Sequence, residues 1–164
     1  MKNMLQPEFL DELFASFQLD EYTAQSLRFT PPGDEIEIIS ATDYLQPNRL
    51  TAMIEAAAKE NKVEDLRVAA AVSNKLYHWI VLPGVLIMMT SAGIGLDASA
   101  ENASFIIKES ELKMLWLHNL ENTAIYPPRF PFSIPDHYAG KILNSVDELH
   151  HWCLQVYFDT TFLS

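Results

Sequence analysis

Residues 66 to 96 read LRVAAAVSNKLYHWIVLPGVLIMMTSAGIGL, and from Leu76 to Leu96 there is no Lys, Arg, Asp or Glu. No other segment of the 164-residue chain concentrates so much apolar surface. A core made by folding the remaining elements over this run is therefore the economical reading. Its length also raises the question of a membrane, because a spanning helix needs about 20 apolar residues. Pro83-Gly84 interrupts the run, Thr90, Ser91, Gly93 and Gly95 loosen its end, and no basic cluster flanks one side. The expectation is a soluble core element: one helix from Asp65 to Trp79, a second from Pro83 to Ser91 after a proline kink, and Leu86 inside the core.

Composition narrows the class. Hydrophobic residues make up 49% of the chain, enough for one domain with a substantial core. Acids outnumber bases 22 to 11, a formal net charge of −11, and the bases are scattered. That field opposes a phosphate backbone or an anionic membrane surface, so neither nucleic acid nor membrane insertion is expected. Cationic or neutral ligands, or basic segments of a partner protein, suit it better. The single Cys153 excludes an intramolecular disulfide, and MKNMLQPEF lacks the pattern of a secretory signal, so a cytoplasmic location is expected.

Working outward, residues 7 to 29 read as an amphipathic helix with Phe9, Leu10, Leu13, Phe14 and Phe17 on one side. Glu35 to Ile39 alternates like a short strand, Ser40 to Asp43 offers a helix start, and Asn48 to Glu60 reads as a helix facing inward through Leu50, Met53, Ile54 and Ala57. Beyond the central run, Ala103 to Lys108 and Leu112 to Leu117 read as two strands of a hairpin around Glu109-Ser110-Glu111. Four prolines make Tyr126 to His137 a defined loop. Ser145 and Glu148 stand in capping-box relation at the head of a final helix. The resulting expectation is an α+β single domain, helix-rich, with a buried central helix pair and a small antiparallel β-hairpin or sheet. Its parts are a helical region over about 1–92, the hairpin over about 103–117, the proline-rich loop 126–137 and the C-terminal helix over about 145–160.

The chemistry-bearing residues are sparse. His150, His151 and Cys153 form the densest set of metal-ligand types, yet two ligands on one helix need others, and His78, His118 and His137 fall in no ligand motif. No metal is expected. Nucleophile elbow, phosphate-cradling glycine loop and dinucleotide fingerprint are absent. Rings are plentiful: Tyr77, Trp79, Trp116, Tyr126, Phe130 and Tyr138 are the candidate lining of a ligand cavity, with core packing as the ordinary alternative.

At Lys75-Leu76-Tyr77-His78-Trp79-Ile80-Val81-Leu82-Pro83-Gly84 and Gly95-Leu96-Asp97-Ala98-Ser99-Ala100-Glu101-Asn102 the sequence resembles the FhuF-like ferric-siderophore reductases. The shared pattern is an aromatic-rich helix, a proline opening an apolar helix, and a Leu-Asp-x-Ser turn leading into a β-hairpin, and it covers Leu66 to Leu117. The same stretch is similar to the carboxy-terminal region of aerobactin-type siderophore synthetases. The resemblance implies a siderophore-iron utilisation protein with a ferric siderophore as its ligand. In that family four cysteines near the chain end hold a [2Fe–2S] cluster, and here only Cys153 is present. No cofactor is therefore expected, catalysis as a reductase is left open, and a protein partner supplying the missing redox half is a further implied partner. The oligomeric state is open. The alternative is an acidic, dimeric partner-binding protein of the secretion-chaperone type.

Overall fold

The structure is a computed structural model that describes residues 3–34, 36–109 and 111–161, with side chains placed up to Tyr157. Glu35 and Ser110, which fall within the expected strand and hairpin turn, lie outside the described residues.

The N-terminal segment is shorter in helix than its periodicity suggests. Helix α1 spans Pro7–Ser16 and buries Leu10, Leu13 and Phe14. The chain then turns, and α2, Glu21–Ala24, restarts because the Asp20 carboxylate caps it, accepting from Thr23 N at 3.0 Å and Thr23 Oγ1 at 2.6 Å. Leu27–Arg28, which the helical reading includes, instead forms strand β1. The Asp11 carboxylate fixes this exchange, accepting from Phe29 N at 2.8 Å, Thr30 N at 3.1 Å and Thr30 Oγ1 at 2.6 Å. An acidic residue that looks like part of a solvated helix face is thus a tie between α1 and the chain after β1.

Strand β2, Glu37–Ser40, is followed by α3, Ala41–Tyr44, capped by Ser40 Oγ on Asp43 N. Helix α4, Pro47–Glu60, has Pro at its first position, where no donor is lost. Helix α5 is one continuous element, Leu66–Ala92, with Pro83 inside it. The expected pair of helices is thus a single helix. Pro83 denies a donor to the Trp79 carbonyl, and Trp79 lies at the solvent side, 52% exposed, where water can satisfy that oxygen. Gly93 ends the helix at φ +63°, its N–H returning to Met88 O.

Two sheets follow. Strand β3 is Ile94–Gly95, β4 is Ala103–Lys108, and β5 is Glu111–Leu117. The last two form the expected antiparallel hairpin, with Glu109 in its turn at φ +54°. Strand β6, Ala124–Ile125, pairs antiparallel with β3, and β7, Lys141–Ile142, pairs parallel with β6. The larger sheet has the order β1-β5-β4-β2, with β1 parallel to β5. Helix α6, Val146–Thr161, starts on the capping box: Ser145 Oγ accepts from Glu148 N, and the Glu148 carboxylate accepts from Asn144 N.

The core lies between α5 and the larger sheet. Tyr77, Ile80, Val81, Val85 and Met88 from the helix meet Leu27, Ile39, Phe105, Leu115 and Leu117 from the strands, with Leu10 and Phe14 of α1 closing one end. A smaller cluster of Met89, Ala124, Leu143 and Leu149 seats α6 against the second sheet. The architecture is α+β. Leu86, expected in the core, is 45% exposed, because α5 buries only the side turned to the sheet.

Candidate functional site

Four residues of α5, Ala70, Ser73, Asn74 and Tyr77, fall at i, i+3, i+4 and i+7 and so share one face. Helix α4 runs against that face and offers Leu50, Met53 and Ile54 at the same kind of spacing. Tyr44 and Leu45 close the end. Between them is a cleft of about 360 Å³, inside the range of roughly 300–1,000 Å³ usual for small-molecule sites. Its base is aromatic. The Tyr44 and Tyr77 rings stack at 6.0 Å with planes 21° apart, and Phe105 packs under both at 5.0 and 5.5 Å.

Burial sets the protonation of the cleft. It pushes the Tyr77 hydroxyl up to about 12, with the neighbouring Tyr44 adding to the shift, and it pushes Tyr44 itself up to about 12. Both phenols are therefore neutral at ordinary pH and can donate as well as accept a hydrogen bond. No residue described along the cleft is a carboxylate, imidazole or thiol. The arrangement suits binding: apolar walls for hydrocarbon, and hydroxyl and amide groups of Tyr44, Ser73, Asn74 and Tyr77 for the polar end of a ligand.

Two imidazoles lie near rings elsewhere. His78 Nδ1 and Tyr157 Oη are 2.7 Å apart, joining α5 to α6, and burial lowers the His78 pKa. His118 Nε2 and Ser104 Oγ are also 2.7 Å apart, linking the end of β5 to β4. A serine beside an imidazole is the start of a nucleophile–base pair. Ser104 is only 4% exposed, so its hydroxyl is held in a cross-strand bridge and not presented to a substrate.

The six rings singled out in the sequence do not line one cavity. Tyr77 is in the cleft. Trp79 points to the other side of α5, with Lys75 Nζ 4.7 Å over its ring. Trp116 donates from Nε1 to Phe29 O at 3.2 Å and rests on His118 at 4.3 Å. Tyr126 packs on the Met89–Leu143 cluster. Phe130 is buried edge-on against Phe9 and Phe132. The Tyr138 hydroxyl is hydrogen-bonded to Thr123 Oγ1. What the ring count missed are Tyr44, Ser73 and Asn74. A signal for the last two was present: polar residues at positions 73 and 74 of an apolar helix, beside Tyr77 on the same face.

No family model matches the chain, and no curated protein does. Among solved structures, the fold is similar to that of aerobactin synthetase IucC from a hypervirulent pathotype of Klebsiella pneumoniae, with a TM-score of 0.66 and 16% sequence identity. The likeness covers 96% of this chain and 34% of that one. The chain thus shares its fold with a part of a siderophore synthetase and spans about a third of that protein's length.

Proposed function

We propose that the chain is a siderophore-iron utilisation protein that binds a ferric siderophore at the Tyr44–Tyr77 cleft and carries no iron–sulfur centre of its own. The observation that carries this reading is the cleft itself, apolar in its walls and edged by neutral phenols and an amide. The fold shared with a siderophore synthetase and the resemblance of Leu66 to Leu117 to the FhuF-like reductases support the choice of ligand class. A thiolate-held cluster needs four cysteines, and Cys153 is the chain's single one. Binding, not electron transfer, is then the role of this chain, with a cytoplasmic location and any redox step left to a separate protein. The net charge of −11 favours cationic or neutral iron complexes over polycarboxylate ones.

Isothermal titration with a cationic ferric trihydroxamate, a ferric citrate complex and the iron-free chelators tests the proposal. Saturable heat is expected from the hydroxamate complex, weaker binding from the citrate complex, and a gap that narrows as salt screens the protein's field. Ala70→Phe should abolish the heat by filling the cleft, whereas Trp79→Ala, on the far side of α5, should leave it unchanged. No saturable heat from any iron complex, or undiminished binding by Ala70→Phe, would overturn the assignment. The acidic partner-binding reading would then be the better account.

A further inference from the structure

Helix α5 is apolar on two opposite sides, and the core uses only one. Val68, Val72, Leu76, Trp79 and Leu86 are 49%, 43%, 53%, 52% and 45% exposed. At about 100° per residue these five fall within roughly 80° of arc, opposite the arc that holds Tyr77, Val81 and Met88. They form a stripe about 27 Å long. Only 44% of the most apolar 18-residue window of this helix is buried. The exposed parts of the five side chains amount to on the order of 500 Å², in the upper part of the roughly 300–600 Å² of the largest patch on a monomer and more than half of the roughly 800 Å² each partner gives to a standard interface.

Charge decides what fits there. The chain as a whole is at −11, yet the only charged residues between Leu66 and Leu96 are Arg67 and Lys75. Arg67 is paired with Asp65 at 2.9 Å, and the Lys75 ammonium sits on the Trp79 ring. The stripe is thus a strip of surface on which two copies of this acidic chain can meet without bringing carboxylates together. A basic partner would find no carboxylate in the stripe to hold it.

We propose that a second copy of this chain covers the stripe, its α5 lying antiparallel to the first across a two-fold axis near residue 77. In that register Val68 faces the copy's Leu86 and Lys75 faces its Trp79. Small side chains meet large ones, and each ammonium keeps a ring. A parallel pairing would set Lys75 against Lys75 and Trp79 against Trp79. The contact is isologous and closes on itself. Because the cleft lies on the opposite side of α5, both clefts stay open in the dimer.

Sedimentation and light scattering of the full chain at micromolar concentration should give twice the 18.6 kDa chain mass. Leu76→Arg and Trp79→Arg should each halve that mass while leaving the circular dichroism spectrum folded, since both positions are solvent-facing in the single chain. In a Cys153→Ser background, Leu76→Cys should be joined to its copy by a short bis-maleimide. Val68→Cys should not, because antiparallel helices place the two copies of residue 68 about 27 Å apart along the axis. A parent that sediments as a single chain, a Trp79→Arg variant that stays dimeric, or Val68→Cys cross-linking as efficiently as Leu76→Cys would each overturn the proposal.

Discussion

Gly84→Ala on α5 is a substitution whose sign depends on the size of two opposed effects. In a solvent-facing helix, replacing Gly by Ala stabilises by about 1 kcal/mol through backbone entropy. Gly84, however, faces β1. A Cβ added there would lie 2.7 Å from Leu27 Cβ and 2.9 Å from Leu27 Cδ2. The nearest atom is anchored directly to the strand backbone, so no rotamer change relieves it, and Leu27 is itself 5% exposed and held by β5. Relief requires α5 and β1 to move apart, and overpacking of this kind costs about 1–3 kcal/mol. The clash cancels or outweighs the propensity gain, for a net loss of up to about 2 kcal/mol. At roughly 2–4 °C per kcal/mol for a chain of this size, Tm should fall by up to about 8 °C. Urea unfolding with a lowered midpoint and an unchanged m-value would confirm that stability changes while the surface exposed on unfolding does not. Combining it with Leu27→Ala, which removes Cδ2 but keeps Cβ, should recover part of the loss and so show non-additivity. A Gly84→Ala variant that melts above the parent would refute the close helix–strand approach on which the core geometry rests.

Other perturbations should be equally readable. Asp11→Ala should cost about 2–4 kcal/mol in chemical denaturation, because it strands the Phe29 and Thr30 N–H groups, and Asp11→Asn should cost less by keeping one acceptor. Met88→Asp, at a position with no exposure, should prevent folding, whereas Leu86→Asp, at one 45% exposed, should leave the chain folded by circular dichroism. Tyr44 and Tyr77 hold their protons to about 12 against 10.0 for an ordinary phenol, so between those values the unfolded chain binds fewer protons than the folded one. Stability should therefore fall as pH rises through that window, and Tyr77→Phe should flatten the alkaline limb of a Tm–pH profile. Burial pushes the Cys153 thiol up to about 11, so a disulfide reagent at pH 8 should react slowly with native protein and fast in urea.

How much of this was readable in advance varies with the kind of information each feature needs. The central helix and the β4–β5 hairpin were legible because an uncharged run and an alternating pattern are local signals. Which side of α5 is buried was not legible, because the helix is apolar almost all round: Leu86 and Met88 are equivalent in composition and differ only in which way the sheet lies. Strand β1 was hidden inside a helical periodicity, since its partner is the distant Leu115–Trp116 segment and nothing in residues 27–28 announces it. The aromatic residues were visible as types, but four different packing environments claim Trp116, Tyr126, Phe130 and Tyr138. The cleft needed Tyr44 to come back over Tyr77, a contact set by the α3–α4 turn.

The parallel pairing of Leu27 with Leu115 has a consequence for how the protein is made. During translation α1, β1 and the whole of α5 emerge from the ribosome before either strand of the hairpin does, so the most apolar helix in the chain waits without the sheet that will cover it. Strand β1 cannot dock until residue 116 has emerged, and closing so long a loop is a slow, late event. The nascent chain therefore passes through an interval in which both sides of α5 are open to water, and it is in that interval, not in the finished fold, that aggregation competes most strongly with folding.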